Sequence, residues 1–136
     1  MSLSYSISID LIVDYNESVI KNILSVGDQL GYLYREFTYD MSNMHDPAIS
    51  VDKATEKVLQ GLPDDMHSLL VEMDGTYAYL HFIKYPGSLT VMLSGLCVFW
   101  SKQFTEGEDL DIGRYAKALI DLVADYKIFE MRIVQD

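Results

Sequence analysis

The sequence predicts a single α+β domain, a two-layer sandwich in which helices cover mainly one face of a five- or six-stranded sheet. Three observations support this prediction. Residues 68–100 contain apolar runs separated by turn signals, residues 5–13 and 128–134 alternate apolar and polar side chains, and helical stripes lie between them. We expect the order β-α-β-α-β-β-β-α-β, an antiparallel or mixed sheet, and one domain over residues 1–136.

The first half of the chain predicts two strands and two helices. Tyr5–Val13 has strict period-2 alternation and predicts a half-buried strand. A helix then begins at a cap, Asn16 or Asp14, and ends at Gly31. Aromatic and β-branched residues predict a second strand over Tyr32–Tyr39.

A turn-rich loop is predicted over residues 40–49, where Asp, Asn, Ser and Pro47 are concentrated. Ser50 is a suitable cap for a second helix over residues 51–62, which Gly61 and Pro63 end.

The middle of the chain predicts a three-stranded meander. Asp74-Gly75 is typical of a type I′ turn, and Pro86-Gly87 suits a type II turn. The strand between these turns has an apolar face that we expect to meet the core: Ala78, Leu80 and Phe82. Its other face is aromatic and amphipathic: Tyr77, Tyr79 and His81.

The third strand of the meander is uncharged from Ser88 to Trp100. Such a run belongs in a central strand, a covered strand or an interface, because an exposed apolar edge favours aggregation. Gly95 predicts a bulge or a bend, after which residues 96–100 would form a separate short strand.

The last part of the chain predicts an acidic connector over residues 102–113, a helix over 111–127 and a strand over 128–134. Asp109 or Asp111 is expected to cap the helix. In the strand we expect three residues to point inward: Phe129, Met131 and Ile133. Two are expected to point outward: Glu130 and Arg132.

The charge is the one extreme feature of the composition. There are 21 acidic and 10 basic residues, for a net charge of −11. This disfavours binding to nucleic acid or to an anionic membrane, since both require a basic surface. The single cysteine, Cys97, lies in an apolar run, and the N-terminus lacks the pattern of a signal peptide. These features favour a cytoplasmic protein without a disulfide framework.

Motifs for chemistry are weak in this sequence. It contains no glycine-rich phosphate loop and no G-x-S-x-G elbow, and its histidines have no metal-ligand spacing. Asp40, His45 and Asp46 fall in one loop, but their spacing matches no ligand motif. We therefore predict no cofactor, no metal and no catalytic residues, and favour binding over catalysis.

Our leading hypothesis is a small acidic module that binds a basic protein partner, of the inhibitor or immunity type that neutralises a toxin. Ten tyrosines support it, since tyrosine is enriched at protein interfaces. The predicted contact set combines acidic and aromatic residues: Glu106, Glu108, Asp109, Asp111, Tyr77, Tyr79 and His81.

Two alternatives remain open from the sequence. One is a small-molecule-binding or enzymatic α+β domain with a pocket between sheet and helices, where His81 would be the functional histidine. The other is a homodimer formed through the uncharged strand at Leu89, Val91 and Leu93.

Overall fold

The computed structural model describes residues 4–61, 66–96, 105–106 and 109–135. Within these ranges it contains three helices and eight strands. In chain order they are β1 (Tyr5–Leu11), α1 (Glu17–Gln29), β2 (Leu33–Glu36), α2 (Val51–Gln60), β3 (Met66–Met73), β4 (Thr76–Tyr85), β5 (Ser88–Leu96), β6 (Thr105–Glu106), β7 (Asp109–Leu110), α3 (Ile112–Leu122) and β8 (Ile128–Gln135).

Six strands form one antiparallel sheet in the order β2-β3-β4-β5-β1-β8, and β6 pairs with β7 in a separate hairpin. The predicted α+β architecture is confirmed. The β3–β4 turn has positive φ at Asp74 (53°) and Gly75 (78°), which is the requirement of the predicted type I′ turn. In the β4–β5 turn only Gly87 has positive φ (73°), as a type II turn needs.

The core lies between one face of the sheet and the three helices. The apolar face predicted for β4 is confirmed, since Ala78, Leu80 and Phe82 are fully buried. They belong to one cluster with residues of β1, α1, β5 and α3, among them Ile9, Ile23, Val91 and Leu119. We call this side the helix face and the opposite side the open face.

The uncharged strand β5 is central, and its core side chains are not available to a second chain. Leu89 and Val91 are 0 % exposed and Leu93 is 1 % exposed. A homodimer cannot form through these three residues as predicted, because the chain's own helices already cover them.

Two glycines in this fold occupy positions that a larger residue would not fit, for different reasons. Tyr34 projects from β2 toward α1, where its hydroxyl donates a hydrogen bond to the Leu24 carbonyl at 2.9 Å. A Cβ at Gly27 would collide with this hydroxyl. Gly95 has φ 71° and lies where the β1–β5 register shifts, which confirms the predicted bulge. The separate strand predicted over 96–100 lies mostly outside the described residues.

Two elements end three or more residues earlier than the periodicity predicts. β2 ends at Glu36 because the chain turns away, and the Asn43 side chain then donates to the Glu36 carbonyl at 2.8 Å. α3 ends at Leu122, after which turns lead to β8. None of the helices in the described ranges is long and apolar enough to cross a bilayer.

The orientation predicted for Met131 and Ile133 of β8 is confirmed, since they lie opposite Ile9 and Ile7 on the helix face, but the burial expected there is wrong. Phe129, Met131 and Ile133 are 72 %, 40 % and 49 % exposed. The reason is the position of β8 at the edge of the sheet, next to β1 and beyond it. A period-2 pattern shows which residues share a face, but it does not show whether another layer reaches that face.

Candidate functional site

The open face of the sheet is crossed by residues 37–49, which we call the crossing loop. It follows β2 and returns to that strand at a β-bridge between Tyr34 and Ile49. Three of the residues predicted to form a contact surface, Tyr77, Tyr79 and His81, project from β4 onto this face. The side-chain alternation of β4 therefore places them under or beside the crossing loop.

His81 lies in the middle of the open face and is only 5 % exposed. Its Nδ1 is 2.6 Å from the Ser68 hydroxyl on β3, and its Nε2 is 2.6 Å from the Ser94 hydroxyl on β5. Burial lowers the pKa of His81 to about 4. The imidazole is thus neutral near pH 7, where one nitrogen donates to a serine and the other accepts from the second serine.

The distance between Ser68 and His81 is that of a catalytic Ser–His pair. The group on the other side of the imidazole, however, differs from the one in a catalytic triad. A catalytic histidine is usually oriented by a carboxylate and has a pKa close to the working pH. Here the third group is another serine hydroxyl, and the low pKa makes the imidazole a weak base. The geometry favours a structural role over catalysis, because His81 connects β4 by hydrogen bonds to both neighbouring strands, β3 and β5.

An aromatic cluster of Phe37, Tyr39 and Tyr79 covers part of the open face. The Phe37 ring centroid lies 5.0 Å from Tyr79 and 5.1 Å from Tyr39, and it lies 6.2 Å from His81. The Tyr79 hydroxyl donates to the Tyr39 carbonyl at 2.9 Å, which fixes the backbone of the crossing loop. The Tyr39 side chain itself is 85 % exposed.

The base of the crossing loop is held by Arg35, which is 8 % exposed. Its guanidinium binds the Glu72 carboxylate at 2.7 Å and donates through Nε to the Asp46 carbonyl at 2.6 Å. Thr38 donates to the Asn43 side chain at 2.9 Å. These bonds fix the conformation of the loop.

Asp40 adds a negative charge beside the exposed Tyr39. Its carboxylate accepts from the backbone N–H of Ser42 at 3.0 Å. Hydrogen bonds from the side chain and the backbone of Ser42 lower the pKa of Asp40 below its usual value. The loop tip therefore presents one exposed aromatic ring and one ionised carboxylate side by side.

A shallow depression lies next to the aromatic cluster, at the side of the sheet where β2 and α2 meet. Its lining is both aromatic and polar: Glu36, Phe37, Tyr39, Lys57, Gln60, Gly61 and Ser68. Lys57 and Glu36 form an ion pair of 3.0 Å at this depression. Ser68 connects it to His81.

The predicted contact set is divided between two sides of the molecule. Asp111 caps α3, where its side chain accepts from the Arg114 N–H at 3.2 Å, and α3 packs on the helix face. Tyr77, Tyr79 and His81 lie on the open face. The backbones of Glu106 and Asp109 form the β6–β7 hairpin, while their side chains and all of Glu108 lie outside the described residues.

The sequence pattern does not predict the crossing loop, because it places Phe37 and Tyr39 in a strand that in fact ends at Glu36. The available signal was the change from an aromatic run to the turn-forming residues that follow Tyr39. Among the described residues, no group of three or more His, Cys, Asp or Glu side chains is placed to hold a metal ion.

Comparison of the chain with protein-family models, with curated proteins and with solved structures gives no match in any of the three.

Proposed function

We propose that this protein is a binding module for a basic protein partner, of the inhibitor or immunity type, and that the tip of the crossing loop is its main contact. The observation that carries the proposal is the 85 % exposure of Tyr39 on a loop that is otherwise tightly fixed. An exposed tyrosine on a rigid support is typical of the residues that dominate binding energy at protein interfaces.

The charge of the molecule supports a basic partner. The net charge is −11, and Asp40, which stands beside Tyr39, is exposed and ionised. Several basic side chains already pair with carboxylates of the same chain, among them Lys21 with Asp52 and Lys57 with Glu36. A surface of this kind accelerates association with a positively charged protein and raises its specificity. We place this activity in the cytoplasm, in keeping with a single cysteine.

Photocrosslinking from the loop tip tests the proposal. A photoreactive phenylalanine analogue replaces Tyr39, and the matched control carries it at Tyr85, a tyrosine that is 51 % exposed at the far end of β4. We expect position 39 to capture one basic protein in cells of the source organism, and position 85 to capture none of it. Equal capture from both positions, or capture of an acidic protein alone, would contradict the proposal.

Surface plasmon resonance with the captured protein then measures how each side chain contributes to the affinity and to the association rate. Tyr39→Ala is expected to weaken binding by about 30-fold or more, as a central aromatic contact does. Asp40→Asn should mainly slow association and reduce its dependence on salt. Tyr85→Ala serves as the control and should leave the affinity within about twofold.

One observation favours a second candidate, a small-molecule-binding or enzymatic domain. Ser68 lines the depression beside Phe37, and its hydroxyl lies 2.6 Å from Nδ1 of His81. A fluorophosphonate probe distinguishes the two candidates, since it labels serines that a neighbouring base activates. Labelling that is lost in Ser68→Ala and kept in Ser94→Ala would favour the enzyme, and absence of labelling would favour the binding module.

A further inference from the structure

The strand β8 forms an open edge of the main sheet. It pairs with β1 along one side, and all eight of its residues are exposed. An edge strand presents unpaired backbone N–H and C=O groups that another strand can use.

The side chains of β8 are unusually apolar for such an edge. Five of its eight residues are large hydrophobic residues with exposures between 39 % and 72 %: Ile128, Phe129, Met131, Ile133 and Val134. Proteins usually protect edges with proline, charged side chains or a bulge. β8 contains neither proline nor lysine, and its charged side chains are Glu130 and Arg132. Its register shift lies at the start of the strand, so residues 130–135 continue without irregularity.

The charges of β8 are only partly satisfied within the chain. Glu130 lies directly opposite Asp10 of β1, and two like charges in this position are unfavourable. Arg132 lies between them, 3.0 Å from the Asp10 carboxylate and 3.2 Å from the Glu130 carboxylate. One guanidinium therefore serves two carboxylates, and Glu130 shares its ion-pair partner Arg132 with a repelling neighbour, Asp10.

We propose that β8 pairs antiparallel with β8 of a second copy of this chain, about a two-fold axis at Met131. In this register Glu130 faces Arg132 of the second copy, and Arg132 faces its Glu130. The same register sets Phe129 opposite Ile133 and Ile128 opposite Val134, so apolar residues face apolar residues.

The charges select this register over its neighbours. An axis at Glu130 would set the two Glu130 side chains face to face, and an axis at Arg132 would do the same for the two arginines. Only the axis at Met131 makes both charged pairs attractive. In this arrangement the helix faces of both copies lie on the same side of one continuous sheet, because directly opposed strand residues share a face.

Two complementary charge variants test the proposal. Glu130→Arg would set an arginine against Arg132 of the second copy, and Arg132→Glu would bring two glutamates together, so each variant alone should dimerise at least tenfold more weakly than the wild type. A mixture of the two variants restores an attractive charge pair and should form a heterodimer. Sedimentation velocity at about 150 mM NaCl measures all three, since this salt screens the repulsion between two acidic chains.

Two results of this experiment would overturn the proposal. One is a wild-type protein that remains monomeric up to about 0.5 mM, a concentration at which even weak specific pairs associate. The other is a mixture of the folded variants that associates no better than either variant alone.

If a charge variant fails to fold, disulfide formation between single cysteines of the two copies tests the same register. In a Cys97→Ser background, Met131→Cys places the two thiols in directly opposed positions, about 5 Å apart at Cα, within the range for a disulfide. The matched control Ile133→Cys leaves the thiols about 13 Å apart, since four residues separate them along the strand. Under mild oxidation Met131→Cys should form a covalent dimer and Ile133→Cys should remain monomeric. Equal crosslinking of both, or of neither, would refute the register.

Discussion

The two edges of the main sheet are built in opposite ways. β2 has four residues, a bridge to Ile49 on its outer side, and a buried centre in which Tyr34 is 2 % and Arg35 is 8 % exposed. β8 has eight residues, and every one of them is exposed. One sheet therefore has one edge that is closed by its own loop and another edge that is exposed.

The chain connections explain this difference. After β2 the crossing loop folds back over the open face, and Arg35 fastens it through Asp46 and Glu72. Before β8 the chain comes from α3, which packs its apolar residues Tyr115 and Leu119 into the core. The helix layer therefore covers β1 and leaves the next strand outside it.

Truncation of Tyr34 should break the closed edge most severely. Tyr34→Ala removes a buried ring and its hydrogen bond to Leu24, so the free energy of unfolding should fall by about 4 kcal/mol. Tyr39→Ala, on the same segment but exposed, should change it by less than about 0.5 kcal/mol. Urea denaturation measures both, and a loss below about 1 kcal/mol for Tyr34→Ala would show that this edge is not closed by packing.

Removing one arginine at each edge compares how much the ion pairs of the two edges stabilise the fold. Arg35→Met leaves Glu72 without its partner in a mostly buried site and should destabilise the fold by roughly 3 kcal/mol. Arg132→Met removes two ion pairs, but Arg132 is half-exposed and Asp10 keeps its hydrogen bond from Thr90, so the loss should stay below about 1 kcal/mol. Equal losses in thermal or urea unfolding would contradict the difference between the two edges.

Burial of His81 at the centre of the open face should make the free energy of unfolding depend on pH. The pKa of His81 is about 4 in the folded chain against 6.5 as the ordinary value, so the unfolded chain binds the proton first as pH falls. The stability that neutral, buried His81 contributes is fully present above its unfolded pKa of 6.5. It is lost as the pH falls toward its folded pKa of about 4. We expect a loss of roughly 2 kcal/mol between about pH 7.5 and about pH 5.

The control for this prediction is His81→Gln, which keeps a donor and an acceptor but does not titrate. Its stability should lack the His81 component over the same pH range, measured by urea denaturation. Parallel pH profiles for wild type and His81→Gln would show that another group is responsible.

A lysine on the open edge should have the smallest effect on the monomer. Met131 is 40 % exposed, so Met131→Lys should change the free energy of unfolding by less than about 0.5 kcal/mol, measured on dilute protein. The same substitution should abolish dimerisation in sedimentation, because two lysines would face each other at the proposed axis. A large loss of monomer stability would show that β8 is covered within the chain.

Much of the fold could be predicted from the sequence, because its signals are local. The Asp74-Gly75 turn, the alternation of β4 and the bulge at Gly95 are all set by residues close together in the chain. Burial of β8 could not be predicted this way. Its alternation is the same whether a helix covers it or not, so its position at the edge depends on strand order.

The candidate site was predictable only in part. The alternation of β4 predicts that Tyr79 and His81 share the face opposite Leu80, but their contacts Phe37, Ser68 and Ser94 come from distant parts of the chain. Acidity alone grouped Asp111 with the tyrosines, although a helix cap and a β-strand face are positioned by different elements. The sequence positions of charged residues do not show on which face of a sheet their side chains lie.

Amide hydrogen exchange as a function of protein concentration tests the difference between the two edges most directly. At about 1 µM the amides of β8 that point away from β1 should exchange fast, and at about 0.5 mM they should become protected as the second copy pairs with them. The amides of β2 should exchange at the same rate at both concentrations. Fast exchange in β8 at every concentration, or equal protection gained by both edges, would contradict the account.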